Sequence, residues 1–141
     1  MMSESKRVFL DTNFFIYLLE SVPQFTNKCE EIHRLYQSTG FRFITSSVSI
    51  MEYLVKLYKE NDYQKIANFY AFLVDAAIEI IPISADIANI AAQVRSENIS
   101  IKQMDAIQIA VAITQNCDVF VTNDKRLSNL PYFKTQSIHE D

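Results

Sequence analysis

Glycine is almost absent: Gly40 is the only one in 141 residues. A glycine-rich phosphate loop and the dinucleotide fingerprint are thereby excluded, since both need several glycines to bring backbone against a phosphate. The glycine-flanked serine of a nucleophile elbow is excluded on the same ground. Tryptophan is missing, and cysteine and histidine number two each. Cys29 and Cys117 show no metal-ligand or redox spacing and read as buried or neutral thiols. His33 is isolated, and His139 lies in what reads as a terminal tail. A mechanism built on paired histidines as acid and base has almost nothing to work with. No apolar run approaches bilayer length, and the polar residues 1–7 precede no signal-like apolar stretch. The expectation is a cytoplasmic protein with no membrane partner.

What is abundant is core material. Hydrophobic residues make up 49% of the chain, with 10 phenylalanines and 7 tyrosines. This suits one domain, residues 1–141, around one core. Short apolar runs alternate with helical patterns. Strands are expected at 8–10, 41–45, 77–83 and 119–121, with an edge strand at 133–138. Helices are expected at 14–20, 26–38 (capped by Thr26), 48–61, 63–74, after Ser84, and at 103–116. Alternation of this kind predicts an α/β fold: a central parallel sheet of about four to five strands, flanked by helices on both faces.

Four carboxylates punctuate this pattern: Asp11, Glu52, Asp105 and Asp124. Each has a structural explanation. Asp11 and Asp124 follow strands and can cap the next turn, although Thr12 and Asn13 also offer a cap and would leave Asp11 free. Glu52 has Lys56 four residues on, a surface pair contributing roughly 0.2–0.5 kcal/mol. At about 100° per residue, Met51, Leu54, Val55 and Tyr58 share one face, and Glu52 borders it. Asp105 is hardest to explain, because the helix after it is apolar nearly all round and a carboxylate there needs a partner. Strand ends in a parallel sheet meet along one edge, and carboxylates gathered there repel unless a cation joins them. Hard divalent cations such as Mg²⁺ and Mn²⁺ select carboxylate oxygens and suit metal-assisted attack of water on a phosphodiester. The net charge is −4, which these four side chains account for in full. The remainder is neutral, so the chain is not a generally basic nucleic-acid binder.

Leu10-Asp11-Thr12-Asn13, Ser47 to Glu52 with Tyr53-Leu54, Met104-Asp105-Ala106-Ile107 with Ala110, and Val121 to Leu127 resemble the PIN-domain signature in order and spacing. The resemblance spans essentially the whole chain, and the compact form looks most like the toxin ribonuclease of a type II toxin–antitoxin pair. It implies a PIN-like sheet between helices and endonucleolytic RNA cleavage dependent on Mg²⁺ or Mn²⁺. By motif, Asp11 and Asp105 would be the main metal ligands and Asp124 a further one, directly or through water. Glu52 would hold a second metal or orient the attacking water. Thr12 or Asn123 would position a carboxylate or a phosphate oxygen, with Asn13 and Thr122 supporting. Lys102, Lys125 and Arg126 lie close to Asp105 or Asp124 in sequence and would draw phosphate locally. The resemblance also implies a homodimer and a groove for a cognate antitoxin, built partly from residues 14–19 and 63–72.

Two competing readings remain. A haloacid-dehalogenase-like phosphatase also begins with an Asp after its first strand, but needs a second Asp where this chain has Asn13. A non-catalytic PIN-like module binding RNA or protein would keep the fold without turnover.

Overall fold

In the computed structural model, which describes residues 5–139, five strands form one parallel sheet between two helical layers. The chain runs through β1 (Arg7–Leu10), α1 (Thr12–Leu19), α2 (Thr26–Ser38), β2 (Arg42–Ser46), α3 (Ser47–Lys59) and α4 (Tyr63–Asp75). It continues with β3 (Ile78–Ile81), α5 (Ala85–Glu97), α6 (Gln103–Thr114), β4 (Val119–Thr122), a single 3-10 turn (Lys125–Leu127) and β5 (Lys134–Ser137). The strand order is β3-β2-β1-β4-β5. This is the α/β architecture expected from the alternating pattern. Among the described residues, no helix is long and apolar enough to cross a membrane.

The short run Val8-Phe9-Leu10 forms the central strand because all three side chains are fully buried, as a parallel strand covered on both faces requires. Alternation splits them between two cores. Val8 and Leu10 pack with Phe14, Phe15, Phe69 and Leu73 under α1 to α4. Phe9 packs with Ile44, Ile109 and Phe120 under α5 and α6. Phe9 pairs in register with Phe120 on β4, their rings stacked at 5.0 Å, and Phe133 stacks on Phe120 at the same distance. On the opposite face Tyr53 stacks on Phe69 at 4.2 Å and Phe15 meets Phe69 edge-on. Such pairs add about 0.5–1.5 kcal/mol beyond the area they bury.

From β1 the chain winds outward through β2 and β3 on one side, and β4 and β5 extend the sheet on the other. The C-terminal ends of β1 and β4 are therefore neighbours at a topological switch point, where open α/β sheets leave a crevice. The Asp11 amide donates to the Val121 carbonyl at 3.1 Å, tying the two ends together.

Several local readings are corrected. Thr26 does not cap α2: it is the first helical residue, and its hydroxyl donates to backbone carbonyls of Tyr17 and Val22. The cap of α3 is Ser46, whose hydroxyl accepts from the Val48 amide. β3 is shorter than residues 77–83, because Ala77 has a left-handed backbone and Pro82 lacks the N–H a ladder needs. The buried face of α3 is Val48, Tyr53, Leu54 and Leu57, whereas Met51, Val55 and Tyr58 stand about half exposed along another. His139 does not trail away: its Nε2 lies 2.6 Å from the Asn123 carbonyl oxygen, with its ring edge-on to Phe25.

Five helices end on a residue with positive φ, yet glycine fills only one of these positions, Gly40. Ser21, Asn61, Ala77 and Asn116 occupy the others at φ 54°. Ala77 is exposed and its β-carbon gains no core contact to offset the left-handed strain. Ala77→Gly is expected to stabilise the fold by about 0.5–1 kcal/mol, read as a higher urea midpoint with unchanged slope. An unchanged or lower midpoint would contradict this account of the α4 terminus.

Candidate metal and nucleic-acid site

A cleft of about 450 Å³ opens at the switch point, lined by Asp11, Asn13, Glu52, Lys102, Asp105, Asn123, Asp124 and Arg126, among others. All four carboxylates singled out in the sequence face it. Of the three basic residues, Lys102 and Arg126 line the cleft and Lys125 does not. A larger, mainly apolar cleft of about 710 Å³ runs between α5 and α6 beside it, and its lining carries no carboxylate. The four carboxylates gather in the smaller one.

Each carboxylate reaches the cleft by a different device. Asp11 caps α1 itself: Oδ1 accepts from the Thr12 amide at 2.8 Å, while Oδ2 accepts from the Thr122 hydroxyl at 3.0 Å. Capping and a place in the cleft thus coincide, and the idea that Thr12 or Asn13 frees Asp11 from capping is wrong. Asp105 stands in the first turn of α6, where the helix dipole favours negative charge. Glu52 does not pair with Lys56, which instead lies 3.9 Å from Glu60. Its Oε1 accepts from the Thr12 hydroxyl at 2.6 Å, which turns the side chain towards the cleft. Asp124 caps the 3-10 turn, Oδ1 accepting from the Arg126 amide at 2.9 Å. The Arg126 guanidinium also grips it with Nε 3.0 Å from Oδ1 and Nη2 2.7 Å from Oδ2.

Neutral side chains support this arrangement. Asn13 Nδ2 donates to Asn123 Oδ1, and Asn123 Nδ2 donates to the Tyr17 hydroxyl, both at 2.6 Å. The Thr122 hydroxyl, while donating to Asp11, accepts from the Asp124 amide at 3.1 Å. Behind Glu52, the buried Gln108 bonds to Ser46 and, through Nε2, to Ser49 at 2.8 Å, with Thr45 and Ser49 hydroxyls also 2.8 Å apart. Sequence reasoning missed Tyr17, Ser49, Gln108 and His139. A glutamine in the middle of an otherwise apolar helix was the one available signal, since a buried amide requires partners.

The electrostatics record crowding. Asp11 is pushed up to about 6, chiefly by burial and further by Asp105 and Glu52, against hydrogen bonds from Thr12 and Thr122. Asp105 is also raised, by burial and then by Asp124 and Glu52, with Arg126 and Lys102 opposing. Asp124 moves the other way because Arg126 bonds it directly. The oxygens on offer suit a hard divalent cation. Among the described residues, however, no three acidic, histidine or cysteine side chains form a ready-made set of metal ligands.

The PIN-domain family model matches residues 8–131. The chain belongs to the PIN-domain family. Solved structures share this PIN fold at low identity. The VapBC2 structure from Rickettsia felis, bound to a promoter DNA fragment, matches with 21% identity and a TM-score of 0.75, covering 92% of this chain and 97% of that one. A toxin–antitoxin complex from Klebsiella pneumoniae matches with 23% identity and a TM-score of 0.73, covering 95% and 99%. Mycobacterium tuberculosis VapC20, a toxin that cleaves the sarcin–ricin loop, matches with 19% identity and a TM-score of 0.70, covering 90% and 97%. No curated protein matches the chain. With PIN membership shown, the dehalogenase-like phosphatase reading falls away.

The raised Asp11 has a consequence for stability. Between pH 4 and 6 the folded protein holds a proton on Asp11 that the unfolded chain, near 3.8, has released. Stability is therefore lost as pH rises through this window, by up to about 3 kcal/mol at pH 7. Asp11→Asn in metal-free protein is expected to melt higher than wild type at pH 7, with the gain vanishing near pH 4. A gain independent of pH, or none at pH 7, would show that Asp11 carries no such strain.

Proposed function

We propose that this chain is a metal-dependent endoribonuclease and the toxin of a toxin–antitoxin pair, acting in the cytoplasm with RNA as substrate. The observation that carries the proposal is the meeting of Asp11, Glu52, Asp105 and Asp124 in one cleft that also contains Lys102 and Arg126. The PIN fold and its likeness to toxins such as VapC20 support the same reading. Asp11, Asp105 and Asp124 would hold Mg²⁺ or Mn²⁺, with Glu52 on a second ion or on the attacking water. A bound cation would supply positive charge against the phosphate and make a water more acidic.

The chain's own groups do the rest. The hydroxyls of Thr12 and Thr122 hold Glu52 and Asp11 in fixed orientations, so little reorganisation is needed when charge develops. Lys102 and Arg126 draw the phosphate to a chain whose remaining charge is balanced. Asn13 and Asn123 brace the β1 and β4 ends against each other. Lys125, exposed outside the cleft, is left to contact RNA further along the strand.

Purified protein with structured RNAs and Mg²⁺ or Mn²⁺ is expected to cleave. Asp11→Asn and Asp105→Asn are each expected to lower the rate about a hundredfold or more. No cleavage of any RNA would leave the binding-module reading in its place, and cleavage that survives both substitutions would put the chemistry outside these carboxylates. Induced expression in bacteria should arrest growth, and Asp11→Asn should relieve it. A small neighbouring open reading frame for a DNA-binding antitoxin would fit the pairing.

The half-exposed stripe of Met51, Val55 and Tyr58 along α3 supports a homodimer, because residues at this spacing line one helix face. Val55→Glu is expected to yield a monomer by size-exclusion chromatography with light scattering, with the helical content retained. A dimer unchanged by Val55→Glu would place the interface elsewhere.

A further inference from the structure

Resting on the nuclease reading, the geometry at Asp124 points to an exchange that the acidic cluster alone does not explain. Asp124 is counted among the cation's ligands, yet Arg126 hydrogen-bonds to both of its oxygens. Arg126 Nε and Nη2 grip Oδ1 and Oδ2, and the Arg126 amide takes Oδ1 as well. The backbone of Asp124 is anchored separately through the Thr122 hydroxyl. Only the side chains must therefore move to open the site. The Arg126 side chain is 52% exposed, with solvent to swing into, whereas that of Asp124 is 21% exposed within the cleft.

We propose that Arg126 is an internal counter-ion that holds Asp124 away from the cation until an RNA phosphate draws the guanidinium off. The same planar fork fits a carboxylate or a phosphate in two parallel bonds, and a phosphate that takes the Nε–Nη2 edge displaces Asp124 from it. A phosphate in the cleft competes for Arg126, and a divalent cation competes for Asp124. Each therefore weakens the hold against which the other must bind, so cation and RNA help one another by equal factors. Lys102 faces the same cleft but forms no ion pair among the described residues, which makes it a charge-matched comparison.

The test is a pair of double-mutant cycles on the full-length protein. In the first, Mn²⁺ binding without RNA is followed by electron paramagnetic resonance. Arg126→Ala is expected to bind Mn²⁺ about fivefold tighter than wild type, as an exposed ion pair of this size allows. Lys102→Ala, which removes the same charge without touching Asp124, should give a clearly smaller gain. In an Asp124→Asn background, the Arg126→Ala gain should shrink to the Lys102→Ala level. In the second cycle, RNA binding is measured in EDTA by fluorescence anisotropy. Asp124→Asn should tighten it by releasing Arg126 as well as by removing a like charge, and the gain should shrink when Arg126 is alanine; a gain of the same size with Arg126→Ala overturns the exchange. Equal Mn²⁺ affinity in wild type and Arg126→Ala, or a gain that persists with Asp124→Asn, overturns the exchange while leaving the nuclease reading intact. Failure of every form to bind Mn²⁺ overturns both.

Discussion

Asp11 lies just past the C-terminal end of β1, beside that of β4, nearly fully buried, and three further carboxylates line the same cleft. Like charges at this spacing are costly in a medium that screens poorly. The rest of the structure either forces that proximity or relieves it. The hydrogen-bonded ladder of β1 with β4 brings Asp11 beside the Thr122-Asn123-Asp124 segment. The hydroxyls of Thr12 and Thr122, the first turn of α6 and the Arg126 guanidinium offset part of the repulsion. Burial, and after it the repulsion that is left, raises the proton affinities of Asp11 and Asp105. A cleft that holds uncompensated negative charge is a place where a cation gains free energy by binding.

The proximity is sustained by two dry cores packed against one thin sheet. Phe9 and Phe120 stack across β1 and β4 on one face, and Phe15, Tyr53 and Phe69 lock α1, α3 and α4 on the other. Between core and cleft lies a satisfied polar layer of Thr45, Ser46, Ser49 and Gln108. Buried polar groups of this kind cost stability if left unpaired and confer a unique arrangement when complete. Here the layer sets the pose of α3, and with it the position of Glu52.

Much of the fold was legible because hydrophobic periodicity carries it. Val8-Phe9-Leu10 and Val119-Phe120-Val121 read as buried strands, and the helices between them read at nearly their observed bounds. The misreadings share a cause. Met51, Val55 and Tyr58 are apolar, and nothing in their spacing distinguishes a face turned to the core from one left open. The Glu52–Lys56 pair obeyed the helix rule, but Thr12 on another element outcompeted Lys56. His139 read as tail because its partners, Asn123 and Phe25, are 16 and more residues away.

The sequence by itself determined an α/β chain, three carboxylates at strand ends or a helix start and a fourth within a helix, the match of their number to the net charge, and the PIN-type order of motifs. These follow from local pattern, where each residue's role depends on near neighbours. Only the tertiary structure decided that β1 and β4 are adjacent, that Glu52 answers to Thr12, that Lys102 and Arg126 face the cleft while Lys125 does not, and that Arg126 occupies Asp124. The reason is physical: charge and hydrogen bonding act through space between elements far apart in the chain. Strand order and helix pose, set by the packing of whole faces, decide which charges meet.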